Sequence, residues 1–347
     1  MAATRYQYRT VPGMVCLMRS ALGTTVTQLL SLPQGDIMAI PTSRTQSEAT
    51  VCIETALCTG CGQCVAVCKD FDLRLEGGKA CLAPQPLFGC VGCAHCMAVC
   101  PAGAITVRGR ALGPEDLFAL PPLSSSASFD AYYALLRRRR SVREFMPAEV
   151  EPELVERILD AARTAPTGVP PSDVNVLVLD SREKNRAFTS DFCAHLKTLG
   201  WLTAPWFLAL MRPFWGKAND GLFRNFVRPA LAAFTSSMDA GINIVTYDAP
   251  LAMYFYGSPW ADPADPLVAA SLAMLAGEAL GLGTCMIGSI HPLLQWGGSA
   301  ARFRKRHGIR CKSREGVVVL FGYPSVHYGK GIERSFASVH RAQTSFI

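Results

Sequence analysis

Cys58, Cys61, Cys64 and Cys68, followed by Cys90, Cys93, Cys96 and Cys100, write the spacing C-x2-C-x2-C-x3-C twice. Eight thiolates at that spacing suit two [4Fe-4S] cubes, whose chemistry is one-electron transfer. Three cysteines two residues apart wrap one face of a cube, and the remote fourth cysteine completes the cube of the other loop. The expected ligand sets are therefore Cys58, Cys61, Cys64 and Cys100, and Cys90, Cys93, Cys96 and Cys68. Zinc sites also use C-x2-C units, but two such units complete a tetrahedral site and leave the third cysteine of each repeat without a use. The remaining Cys16, Cys52, Cys81, Cys193, Cys285 and Cys311 lack ligand spacing and read as buried structural thiols.

A second constellation is basic. Arg139, Arg140, Ser141 and Arg143 form R-R-S-x-R directly after a helical pattern. Guanidinium forks and a hydroxyl at that spacing can surround a phosphate with charge-assisted hydrogen bonds. Taken alone, a basic run is equally a solvated helix face. The six histidines, His95, His195, His291, His307, His327 and His340, show no metal spacing, and His95 reads as tuning a cluster rather than ligating it. No Ser/His/Asp or paired-carboxylate arrangement supports hydrolysis, and no G-x-G-x-x-G follows a strand to indicate a separate dinucleotide domain.

Four segments must position these groups: an N-terminal extension (1–50), the cysteine module (51–108), a Pro- and Ser-rich linker (109–128) and a long mixed domain (129–347). In the module, Leu73 to Leu75, Ile105 and Val107 read as short strands, with Gly77-Gly78 as a turn. The linker ALGPEDLFALPPLSSSAS supports no continuous helix or strand. In the large domain the periodicity predicts helices over Asp130–Arg140 and Pro152–Ala162, and Pro266–Leu280 reads as an apolar buried helix ended by Gly281 and Gly283. Strands are predicted at Val174–Leu179, Trp206–Met211, Leu251–Tyr256 and Val317–Phe321. Helix and strand signals thus alternate, which excludes an all-helix or all-strand domain.

Half of the 347 residues are hydrophobic and 18% are charged, which bounds the chain as compact and globular. Of the net charge of +7, Arg137 to Arg140 supply four, so no nucleic-acid partner is implied. The apolar run Leu267–Leu282 is broken by Glu278 and is short for a membrane span. Thiolate ligands require a reducing compartment, and the expectation is cytoplasmic. Residues 1 to 35 carry Arg5, Arg9 and Arg19 and no acid before Asp36. That composition fits an organelle transit peptide, and fits equally an unstructured extension or a true start nearer Met38.

The cysteine module closely resembles the two-cluster bacterial-type ferredoxins over roughly residues 50 to 108. Pro101 follows the last cysteine as in that family, whereas Lys69 stands where the first repeat usually has proline, a change that bears on the local turn and on the nearer cluster's potential. The module's charges are nearly balanced, which fits electron delivery inside one chain better than free diffusion to a basic partner. Residues 130 to 347 resemble the FMN-dependent nitroreductase family. The matching pieces are RRSVREF (139–145), AARTAPTG (161–168), GEALGLGTCMIGSI (277–290) and VVVLFGYP (317–324), with Arg334 ten residues later.

The resemblance implies an α+β fold with a mainly antiparallel central sheet flanked by helices, preceded by a small ferredoxin-like iron-sulfur domain. It implies that Arg139, Arg140, Ser141 and Arg143 hold the FMN phosphate and ribityl chain, with Arg334, and less strongly Lys330, near the phosphate. Ile287, Gly288 and Ser289 bring backbone to the flavin ring, where a small residue allows close approach. Pro166 and Thr167 open the segment that usually carries ring-contacting amides. Here Val169, Pro170, Pro171 and Ser172 follow, so those amides are missing, and backbone around Thr167 to Ser172 is left to contact the ring.

The implied activity is an oxidoreductase passing electrons from the clusters, or from NAD(P)H, through FMN to an organic acceptor such as a nitroaromatic or quinone. Reduced ferredoxin is a further donor. The alternatives are an electron-transfer subunit without substrate chemistry, or a reductive dehalogenase or flavin-modifying enzyme on the same fold. Family members are usually homodimers with shared flavin sites, so that the Arg139–Arg143 element and the Gly288 backbone can serve one flavin from different subunits. Trp201, Trp206, Phe214, Trp215, Phe223 and Phe226 fall where the family builds a substrate-facing lid. Most of them read as core, and Lys217, Arg224 and Arg228 among them as a solvated face or a grip on an acidic substrate.

Overall fold

The computed structural model describes residues 49–69, 72–84, 89–168 and 172–341. The expectations for the N-terminal extension up to residue 48, for Cys16 and for Val169, Pro170 and Pro171 lie outside the described residues.

The cysteine module contains β1 (Thr50–Ile53), α1 (Gln63–Val67), β2 (Leu73–Glu76), β3 (Lys79–Leu82), α2 (His95–Val99) and β4 (Ile105–Arg108). β1 pairs antiparallel with β4, Val51 opposite Val107, and β2 pairs with β3 through the Gly77-Gly78 turn, both glycines at positive φ. Ile105 and Val107 are buried with Leu73, Ala80 and Met97, a small core shared with the cysteines. The two cysteine loops have matching shapes. Gly62 and Ala94 are left-handed before α1 and α2, and Cys68 and Cys100 are extended after them (ψ 98° and 109°). Lys69 therefore leaves the turn of the first repeat like that of the second, its ammonium donating to the carbonyl of Ala66 (2.7 Å).

The linker contains a Gly109–Leu112 bridge and two short 3-10 turns, Pro114–Asp116 and Leu123–Ser125. Then come α3 (Phe129–Arg138), α4 (Pro152–Arg163), β5 (Val174–Leu179), α5 (Arg182–Thr198), α6 (Pro205–Leu222), a π-helical turn (Phe223–Val227) and α7 (Arg228–Asp239). The domain closes with β6 (Leu251–Gly257), α8 (Asp265–Ala279), β7 (Gly283–Ile287), α9 (Ile290–Leu293), α10 (Gly297–Arg306) and β8 (Gly316–Gly322). The strands form one sheet in the order β5-β6-β8-β7, antiparallel throughout.

Strand alternation splits the core into two layers. Leu251, Met253 and Phe255 of β6, with Val317, Val319 and Phe321 of β8, pack against α4 and α8. Ala252, Tyr254 and Tyr256, with Val318 and Leu320, face Phe188, Phe192 and Leu196 of α5 and Phe303 of α10. Each large side chain buried this way contributes roughly 1.5–3 kcal/mol. α8 lies close on the sheet because Gly277 has no side chain: a β-carbon there would stand 2.7 Å from the Phe321 ring.

Two boundaries and one element differ from the sequence expectation. Trp206–Met211 is part of α6, not a strand. A short apolar run fits either element, and Pro205 at the first helical position sets the helix. α3 ends at Arg138, with Arg139 already extended. Gly281, at φ +85°, caps α8 as expected, whereas Gly283 begins β7.

Candidate functional site

The basic loop leaves α3 at Arg139 and is pinned to the edge strand β7. Val142 donates its N–H to the carbonyl of Thr284 (2.9 Å), and Ser141 bridges Thr284 in parallel fashion. A β-carbon at Gly283 would stand 2.7 Å from Val142, so glycine there permits the approach. Arg139 and Arg140 act on the half-buried Glu278 at the end of α8, whose carboxylate accepts from the Thr284 hydroxyl (2.6 Å). Burial pushes the Glu278 carboxyl above its ordinary value, against the lowering effects of Thr284 and the two arginines. Arg143 and Ser141 reach the Cys285 thiol, which burial nonetheless raises.

Two more segments converge on this loop. Arg140 donates to the carbonyls of Arg137 (2.9 Å) and Arg139 (2.6 Å), and its guanidinium lies against Gly331. Arg137 pairs with Glu333 (3.1 Å). The exposed Lys330 and Arg334 flank Gly331 and Glu333 in sequence, so the carboxy-terminal strip brings both toward the basic loop. Arg143 lies 5.9 Å from the ring centre of Tyr247. Tyr247 and Asp248 have left-handed backbones (φ 53° and 48°), uncommon for such residues. Asn243 holds that turn by accepting from Val245 and Thr246 and donating to Asp248 (2.9 Å), and Arg186 pairs with Asp248.

Ile287, Gly288 and Ser289 follow along β7, the strand that carries the bridge to Ser141, so Arg139, Arg140, Ser141, Arg143 and the Gly288 backbone share one edge of one chain. Gly288 and Ser289 are exposed. Pro166 and Thr167 sit elsewhere: the next residue, Gly168, donates to Asp265 at the opposite end of α8 (3.0 Å). Fifteen helical residues separate those ends by roughly 22 Å. Sequence reasoning missed Tyr247, Glu278, Thr284 and Gly331. None belongs to a charge pattern, although a glycine between Lys330 and Glu333 marks a close approach in retrospect.

In the module the cysteines gather around two cavities. Cys58, Cys61, Cys64 and Cys100 line one, with Leu75, Ala80, Ala104 and Ile105. Cys68, Cys90, Cys93 and Cys96 line the other, with Val51, Asp72, Leu73 and His95. The remote fourth cysteine of each repeat thus lines the other repeat's cavity. Every described cysteine is a free thiol. Among the described residues no group of three or more His, Cys, Asp or Glu is arranged to hold a single metal ion.

Other expectations are corrected. Cys52 is exposed and Cys81 half-buried, because both sit on outward faces of two-stranded ribbons; Cys193, Cys285 and Cys311 are buried. Trp201, Trp206, Phe214 and Phe226 are exposed rather than core, since they lie on outward faces of α6 and of the turns flanking it. Arg224 pairs with the buried Asp220 (2.9 Å). His195, His291 and His307 make structural hydrogen bonds, to Ser299, Tyr254 and Asp191 respectively.

The model of the nitroreductase family matches residues 136–323, more than half of the chain. The chain belongs to the nitroreductase family. That family comprises flavin-dependent oxidoreductases, and the matched span contains the basic loop, β7 and the sheet. The cysteine module lies outside it. No curated protein matches this nitroreductase-family chain. Among solved structures it is similar to a nitroreductase with bound FMN from Bacteroides fragilis NCTC 9343, at 15% identity and TM-score 0.45 over 60% of this chain and 98% of that one. A nitroreductase with bound FMN from Desulfitobacterium hafniense DCB-2 gives 20%, 0.42, 60% and 98%. An FMN-dependent nitroreductase from Clostridium difficile R20291 gives 16%, 0.38, 62% and 100%. No helix among the described residues is long and apolar enough to cross a membrane.

Proposed function

We propose that this nitroreductase-family oxidoreductase is an iron-sulfur flavoprotein that feeds electrons from two cysteine-held [4Fe-4S] clusters, or from NAD(P)H, to FMN and on to an organic acceptor such as a nitroaromatic or quinone. The observation that carries the reading beyond family membership is the pair of cavities, each lined by four thiols contributed three from one repeat and one from the other. Zinc would complete a tetrahedral site with two C-x2-C units and leave the third cysteine of each repeat unused, whereas interleaved ligands, three from one repeat and one from the other, suit a four-iron cube.

FMN, when bound, supplies the exchange between electron pairs and single electrons. Arg139, Arg140, Ser141 and Arg143 would hold its phosphate, with Arg334 and Lys330 beside them. The half-buried Glu278 lies within the field of two of the guanidinium groups at the end of α8. The exposed backbone at Gly288 is open to a ring on the same edge. Because Pro166 and Thr167 lie at the far end of α8, they would serve the flavin of a second chain, and that separation supports a homodimer. The Arg139–Arg143 element and Gly288, by contrast, serve one flavin from the same chain. A reducing compartment, the cytoplasm or an organelle interior, suits the thiols.

The test is anaerobic reconstitution of the full chain, with iron, sulfide and flavin analysis, followed by steady-state reduction of a nitroaromatic and a quinone by NAD(P)H and by reduced ferredoxin. Iron near eight per chain and turnover with either donor are expected. Zinc in place of iron would sink the cluster reading. Full cofactor content without turnover of any acceptor would favour an electron-transfer subunit instead.

A further inference from the structure

The two cysteine loops share one backbone, so any difference between their sites comes from what surrounds them. Among the described residues no charged side chain lines the wall of the first cavity, and Lys79 donates its ammonium to the carbonyl of Cys58. Two backbone N–H groups point at its sulfurs, Ala80 at Cys58 Sγ (3.4 Å) and Ala104 at Cys100 Sγ (3.3 Å). Cys61 is exposed to solvent. Around the second cavity the wall includes Asp72, only 7% exposed, held at the start of β2 by the N–H of Ala83 on its carbonyl (2.6 Å).

Net charge and hydrogen bonds to sulfur are among the levers that set a cluster's potential, and the Asp72 carboxylate on the second wall and the Lys79 ammonium beside Cys58 act in one direction.

We infer that the two cysteine-lined sites are unequal, the one among Cys68, Cys90, Cys93 and Cys96 being the harder to reduce, and that Asp72 is the residue chiefly responsible. The inference rests on the cluster reading proposed above. Each site takes one electron without making or breaking a bond, so a single electron in the module resides at the Cys58 site. Lys79 reinforces the difference from the other side.

The experiment is anaerobic redox potentiometry of the reconstituted full-length protein, followed by electron paramagnetic resonance, with Asp72→Asn, Asp72→Glu and Lys79→Gln compared. Two one-electron waves are expected. Asp72→Asn should raise the lower wave enough to change its reduced-to-oxidised ratio at least tenfold at fixed potential, which for one electron is about 59 mV. Asp72→Glu should leave it near wild type, and Lys79→Gln should lower only the upper wave. With iron still near eight per chain, an unmoved lower wave in Asp72→Asn, or a shift confined to the upper wave, overturns the inference while leaving the cluster reading intact. Iron far below that in the wild type sinks both.

Discussion

Gly331 lies directly against the guanidinium of Arg140, so close that a β-carbon at 331 would overlap Nη2. The carboxy-terminal strip and the basic loop are fitted to each other there, and the arginine is the part that can give. Gly331→Ala should therefore turn Arg140 aside without unfolding the domain, weakening FMN several-fold while the melting temperature of the flavin-free protein stays unchanged. Arg140→Ala removes a charge-assisted grip worth roughly 1.5–3 kcal/mol, or roughly 10- to 100-fold in the FMN dissociation constant. Flavin fluorescence titration checks both. Equal affinity in Arg140→Ala and the wild type would remove this loop from the phosphate site.

Glu278 gives the site a pH dependence. Burial holds its carboxyl above the ordinary value of 4.5, against the lowering effects of Thr284, Arg139 and Arg140. A carboxyl raised in the folded state contributes stability that is complete below its unfolded value and is lost as pH rises through the raised one. Gln at 278 keeps an acceptor for the Thr284 hydroxyl and carries no charge at any pH. The melting temperature of Glu278→Gln should therefore gain on the wild type as pH climbs from 4 toward 7 and stay level above that. A gap between the two proteins that does not change with pH would show that the charge of Glu278 is not the destabilising element.

In the cysteine module the tightest approach is between Gly60, at φ +73°, and the carbonyl oxygen of Gly78. Alanine at 60 meets backbone that cannot step aside, and also costs about 1–2 kcal/mol for the left-handed conformation. Only the loop bearing Cys58, Cys61 and Cys64 should open, so iron should fall from near eight to near four per chain. Retention of all the iron in Gly60→Ala would contradict so close an approach of loop and hairpin.

The parts legible in the sequence were those whose physics is local. The cysteine spacing, the 3.6-residue pattern of α4, the long apolar run of α8 with its glycine stop, and the β-branched runs of β5 and β8 each state their structure within a few residues. The run Trp206–Met211 was not legible, because six apolar residues suit a strand or a helix until Pro205 is weighed. At the basic loop, Arg139 to Arg143 announced themselves by charge. Tyr247 and Thr284 did not, since both reach the loop only through tertiary packing, one by a left-handed turn that Asn243 holds and the other on β7, a strand absent from the sequence expectation. The separation of Pro166 from Arg139 depends on α8 lying lengthwise across the sheet, which no pairwise spacing encodes.

That same dependence on tertiary context applies to the helical insertion of α6 and α7. Gly216 interrupts α6 with φ 76° and ψ 172°, a conformation close to exclusive to glycine. A β-carbon there would meet open space, so only the backbone objects to one. Across the kink Trp215 stacks on Phe223 (4.7 Å between ring centres), and beyond it Arg224 pairs with Asp220, which fixes how the outer half returns toward α7. Gly216→Ala should cost about 1–3 kcal/mol, confined to this insertion because the sheet core makes no use of the kink. Limited proteolysis should cut the variant within residues 205–227 faster than the wild type, with FMN content unchanged and the KM for a quinone acceptor raised more than kcat is lowered. An unchanged cleavage rate would mean that the insertion takes its shape from the aromatic contacts rather than from the glycine.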